Sequence, residues 1–179
     1  MTNIKTLIAK AALLASAIGL ATSANAATAT ASFQVVITIQ SACTVTAGTA
    51  SKIDLGSVLS SATNTLGTSS IAVTCSKKTP YYIGLAPSIA NGGTTTGSGA
   101  MSTSTALAGN TDKVPYQLTS TAGATGTVWG NTATSTTVGN GVSGTGSGAA
   151  QTINVYAYAA SANFTPDSYA DTVTVNVNY

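Results

Sequence analysis

The sequence predicts an all-β fold, a two-sheet sandwich, and three observations carry that prediction. Two stretches show strict every-other-residue patterning, short β-branched and aromatic runs separated by turn residues recur between them, and no window after Ala26 combines helical periodicity with caps. In the first patterned stretch, Phe33-Gln34-Val35-Val36-Ile37-Thr38-Ile39-Gln40, one face carries Phe33, Val35, Ile37 and Ile39. In the second, Val173-Thr174-Val175-Asn176-Val177-Asn178-Tyr179, one face carries Val173, Val175, Val177 and Tyr179. Period-two alternation of this kind specifies strands with one buried face. Because the second stretch runs to the last residue, the carboxyl terminus is expected to belong to a pairing surface.

The remaining elements follow in order. Met1-Thr2-Asn3-Ile4-Lys5 is a basic start, residues 7–20 are mostly apolar, and Ala24-Asn25-Ala26 is a small-x-small site. An apolar stretch too short to span a bilayer, in that setting, reads as a secretory signal peptide over 1–26, cleaved after Ala26. Beyond it, Ile53, Leu55 and Val58 form an irregular apolar stretch, and Ile71-Ala72-Val73-Thr74-Cys75 forms a strand. Tyr81-Tyr82-Ile83-Gly84-Leu85 forms another strand, ending before Pro87, and Asn91-Gly92-Gly93 marks a turn. Further strands are expected at Val114-Pro115-Tyr116-Gln117-Leu118, Thr127-Val128-Trp129 and Ile153-Asn154-Val155-Tyr156-Ala157-Tyr158. Gly, Ser, Thr and Ala crowd residues 91–110 and 133–150, which are expected to be long surface loops of a single domain. The run 139–148 is rich in glycine, yet it leads into a strand and lacks the lysine of a phosphate-binding loop.

Composition excludes most chemistry. After residue 26 the charges are Lys52, Lys77, Lys78 and Lys113 against Asp54, Asp112, Asp167 and Asp171, so they cancel. With no Arg and so few Lys, the chain lacks a surface that could track nucleic-acid phosphates or a membrane. There is no His and no Glu, which removes Ser-His-Asp and Cys-His nucleophile systems and leaves no metal-ligating set. Asp167 and Asp171, beside the last strand, fit turn and strand-edge roles better than a two-carboxylate hydrolase. We therefore expect no catalytic residues, no metal and no cofactor. Cys43 and Cys75, exported to an oxidising compartment, are expected to pair. Trp129 and the tyrosines at 81, 82, 116, 156 and 158 suit core and strand positions.

Taken together, the chain resembles archaic chaperone-usher pilus subunits, the family sharing the spore coat protein U domain. The residues carrying the resemblance are the alternating stretch followed by Ser41-Ala42-Cys43-Thr44-Val45, then Val73-Thr74-Cys75, Val114-Pro115-Tyr116-Gln117-Leu118, Thr127-Val128-Trp129-Gly130 and the closing residues 169–179. The resemblance implies an incomplete immunoglobulin-like β-sandwich, completed by a donor strand from a neighbouring subunit. It implies a donor strand at 27–40, with Phe33, Val35, Ile37 and Ile39 filling a groove, and a pilin domain at 41–179. Val173, Val175, Val177 and Tyr179 would then form the groove edge that pairs first with a periplasmic chaperone and later with the donor. Partners would be identical or related pilins, that chaperone and an outer-membrane usher, and the mature chain would travel through the periplasm to a surface fibre. The alternative is a secreted coat or matrix protein, or an adhesive module, with the first strand folded into its own sandwich.

Overall fold

The computed structural model describes residues 27–47, 52–104 and 107–179, so the expected signal peptide lies outside the described residues. The chain divides into units Met1–Thr38 and Ile39–Tyr179. The second contains nine described strands: β1 (Cys43–Ala47), β2 (Thr63–Cys75), β3 (Pro80–Pro87), β4 (Ser98–Thr103), β5 (Lys113–Thr119), β6 (Val142–Thr145), β7 (Ala150–Ser161), β8 (Tyr169–Ala170) and β9 (Val173–Asn178). A short 3-10 turn, Ile89–Asn91, follows β3.

Six strands form one sheet in the order β1-β2-β7-β5-β4-β8, and three form the other in the order β6-β3-β9. Every ladder is antiparallel. The architecture is the expected all-β sandwich of two antiparallel sheets. Its core is built from the inward positions of alternating strands: Ile71 and Val73 of β2, Ile83 and Leu85 of β3, Leu118 of β5, and Val155 of β7 are all buried. Trp129 is fully buried beside them, and its Nε1–H donates to the Ile83 carbonyl at 2.8 Å, so its one polar group enters the core satisfied.

β1 lies along the end of β2 with Cys43 opposite Cys75, and the two cysteines form a disulfide with Cα atoms 4.1 Å apart. The bridge therefore ties the edge strand to the central part of the larger sheet, as the sequence led us to expect.

Two corrections concern the small-residue segments. The stretch 91–110 contains β4, and 133–150 contains β6, where loops were expected. Pairing explains both. Gly99 stands directly opposite Tyr116, and Gly144 directly opposite Tyr81. A Cβ on Gly99 would come within 2.7 Å of the Tyr116 ring, and one on Gly144 would overlap the Tyr81 ring. These strands are thus glycine-bearing because each must lie beneath a neighbouring tyrosine, an arrangement in which the aromatic covers the otherwise bare backbone. Two other apolar stretches form less structure than a strand. Around Thr127-Val128-Trp129 there is only an isolated bridge from Val128 to Thr119, and the Ile53-to-Val58 stretch forms no strand.

Residues 27–42 also form no strand, and Phe33, Val35, Ile37 and Ile39 are 82–88% exposed. Alternation supplies a face, but a strand also needs an edge to pair with, because its backbone groups are otherwise left to solvent.

Two stability predictions follow from this packing. Replacing both cysteines with serine should lower the unfolding free energy by about 3–4 kcal/mol, the value for releasing a loop of this length, measured by denaturant unfolding. Gly144→Val should cost about 1–3 kcal/mol because the Tyr81 ring must move, whereas an equivalent substitution at the exposed Ser135 should be close to neutral in the same assay.

Candidate functional site

A three-stranded sheet cannot cover six strands, and the uncovered part of the larger sheet forms a groove of about 640 Å³. Its floor combines large apolar residues such as Ile71, Leu118 and Val155 with the much smaller Ala157 and Ala159. At the start of β2 the inward positions are Thr65, Gly67 and Ser69, so the floor is shallowest in side-chain volume there. The 52–58 segment lies over that region. A Cβ on Gly67 would come within 2.8 Å of the Asp54 carbonyl oxygen and the Ile53 Cγ2, so only glycine lets the segment approach so closely.

β9 borders the same groove. It pairs with β3 alone, from Val173 opposite Pro87 to Asn178 opposite Tyr82, and its second edge has no ladder partner among the described residues. Of the residues proposed for the groove edge, Val173 and Val175 line the groove, and Val177 is half-buried against the core. Tyr179 lies just beyond β9 and is 50% exposed. The sequence reading did not assign Ile53, Leu55 and Val58 to this site, although all three line it. The spacing of Ile53 and Leu55 was the available signal, but it was too short to distinguish a wall of the groove from an ordinary loop.

The end of the groove at which β9 begins is held by carboxylates. Asp167 accepts hydrogen bonds from Asn110 Nδ2 at 3.0 Å, the Ser168 amide at 2.8 Å, Thr103 Oγ1 at 2.9 Å and the Leu107 amide at 3.1 Å. Donation from Asn110 above all, then from the other three, holds its carboxyl well below the usual carboxylate range. Asp171 accepts from Asn91 Nδ2 at 2.8 Å and from the Tyr116 hydroxyl at 2.7 Å. Burial, reinforced by the Asp171 charge, pushes the Tyr116 phenol far above its ordinary value, so it remains a donor. Asp112 accepts from the Thr165 amide at 2.9 Å, and this bond lowers its own pKa. These carboxylates therefore bind β8, β9, the Ile89–Asn91 turn and the loop before β5 into one frame. Among the described residues there is no group of three or more His, Cys, Asp or Glu able to hold a metal ion, and no helix long and apolar enough to cross a membrane.

Residues 29–176 match the Spore Coat Protein U domain. The chain belongs to that family. Among solved structures, the Spore Coat Protein U chain is similar to the CsuC-CsuE chaperone-tip adhesion subunit pre-assembly complex from archaic chaperone-usher Csu pili of Acinetobacter baumannii. The identity is 20% and the TM-score 0.49, and the match covers 79% of this chain. It covers 41% of that chain, so this protein spans less than half of it. No curated protein matches the sequence.

The Asp167 geometry predicts an acid dependence. Since folding depresses this pKa, the carboxylate stabilises the fold fully above the unfolded aspartate value near ~4, and that contribution is lost as pH falls from there toward the native value. Asp167→Asn should melt below the wild type at pH 7, with the difference shrinking progressively below about pH 4 in thermal scans; a difference independent of pH would contradict the assignment.

Proposed function

We propose that this Spore Coat Protein U chain is a structural subunit of a surface pilus, assembled by the chaperone-usher pathway through donor-strand complementation. The observation that carries the reading is the pairing of two incomplete surfaces in one molecule. One is the groove beside the unpaired edge of β9, and the other is the exposed alternating segment with Phe33, Val35, Ile37 and Ile39. A seven-residue strand from Phe33 to Ile39 is about 20 Å long, comparable to β9. Burying its four apolar side chains would contribute roughly 6–12 kcal/mol before ordering costs, in addition to a new main-chain ladder.

On this reading a periplasmic chaperone supplies the missing strand first and keeps the groove covered. At an outer-membrane usher, the donor segment of the next subunit replaces the chaperone strand. Insertion is head-to-tail, so contacts do not close and a fibre grows outward from the cell. The subunit acts by holding its neighbours rather than by catalysis, and adhesion and biofilm formation are the roles a fibre of this kind serves.

The test is to replace Ile37 and Ile39 together with Asp, or to delete residues 27–40. Either variant should still copurify with a coexpressed chaperone yet yield no fibres by electron microscopy. Fibres of normal length from these variants would overturn the proposal.

A further inference from the structure

The charges of the mature chain cancel overall, but they are segregated along the sandwich. Thr63 opposite Ser161, Thr103 opposite Tyr169 and Pro87 opposite Val173 mark one end of the ladders. Cys43 opposite Cys75, Pro80 opposite Thr145 and Tyr82 opposite Asn178 mark the other. Asp112, Asp167 and Asp171 cluster at the first end with Lys113, whose Nζ donates to the Ala90 carbonyl at 3.1 Å, leaving a net −2 there. At the other end the turn after β2 carries two basic side chains, Lys77 and Lys78. The remaining two charged side chains, Lys52 and Asp54, neutralise each other in an ion pair at 2.8 Å.

The acidic end also bears apolar tips on anchored loops. Ile89 is 88% exposed in the turn that Asp171 fixes through Asn91, and Leu107 is 56% exposed in the loop that Asp167 fixes through the Leu107 amide. Exposed apolar residues on loops held this firmly are suited to a contact.

The basic end is where the chain that leads to the donor segment enters the sandwich. The Ser76 amide donates to the Ala42 carbonyl at 2.9 Å, and the Ala42 amide donates to Ser76 Oγ at 3.1 Å, so Ala42 is fixed directly beside Lys77 and Lys78. From Ile39 to Ala42 the chain can reach at most about 10 Å. Every ladder among the described residues is antiparallel, and a donor that continues this pattern along β9 brings its Ile39 to the Val173 end of the acceptor, which is the acidic end.

We propose that in the fibre the acidic end of each subunit, carrying Asp112, Asp167, Asp171, Ile89 and Leu107, seats against the Lys77-Lys78 turn of the next copy of the same chain. This rests on the pilus reading and adds a second subunit contact beyond the inserted strand. The short tether keeps the two ends close to each other, so attraction between their opposite charges can orient each subunit on the one before it, most strongly at low salt.

Engineered thiols test this directly, because the native cysteines are both in the disulfide. Fibres of an Ile89→Cys, Lys78→Cys variant, treated with a short flexible bismaleimide, should give a covalent ladder on denaturing gels, absent from each single variant and from the chaperone-bound monomer. Adding Lys77→Glu should reduce ladder yield several-fold at low salt. Fibres that form normally but give no ladder, or whose ladder is insensitive to Lys77→Glu, overturn the proposed contact while leaving the pilus reading intact. Failure of the wild-type chain to form fibres defeats that reading and the contact with it.

Discussion

Six strands facing three is the constraint on which the rest of this structure depends. A sandwich is stable when each inner face finds another, and here the larger sheet presents apolar floor that β6, β3 and β9 do not reach. The shortfall has two physical parts. Apolar area remains in contact with water, and the outer backbone groups of β9 have no ladder partner among the described residues. An apolar ligand could relieve the first part alone. A strand relieves both, which is why the geometry favours a strand-shaped occupant over a small molecule.

The structure around the opening is correspondingly reinforced. The disulfide secures β1 to β2 at one end, while at the other Asp167 and Asp171 collect donors from three separate segments. Trp129 pins the centre through the Ile83 carbonyl. Each device fixes a neighbour of the groove without filling it, so rigidity is obtained from hydrogen bonds and a covalent link where apolar burial is incomplete. Small folds with deficient cores commonly need such substitutes.

Much of this was legible in the residues. The closing alternation became β9, the run around Tyr82 became β3, and the cysteine pair became the predicted bridge. What escaped was the structure that depends on tertiary partners. β4 and β6 contain glycine where a tyrosine lies across the ladder, and nothing local in Ser98-Gly99-Ala100 announces that tyrosine. The first half of β2, Thr63-Asn64-Thr65-Leu66-Gly67, lacks an apolar alternation because its inner face is covered closely by Ile53 and Leu55. Residues 33–40 teach the converse. Their pattern names an apolar face without naming the edge it pairs with, and in the structure they form no strand.

Chain reach bears on which edge that is. Ala42 is anchored at the end of the sandwich where β9 finishes, and only three residue steps separate it from Ile39. To pair antiparallel with β9 of its own sandwich, Ile39 would have to stand near Val173, about 17 Å of strand away, while the tether reaches about 10 Å. Insertion within one molecule would therefore have to be parallel, against the pattern of every ladder in the fold, whereas insertion into a neighbour has no such restriction. On the proposed pilus reading, a short tether on the wrong end opposes self-closure, which would otherwise benefit from high effective concentration, and favours insertion into another copy. On that reading, the alternating segment left available in this way is what a chaperone would have to cover until assembly.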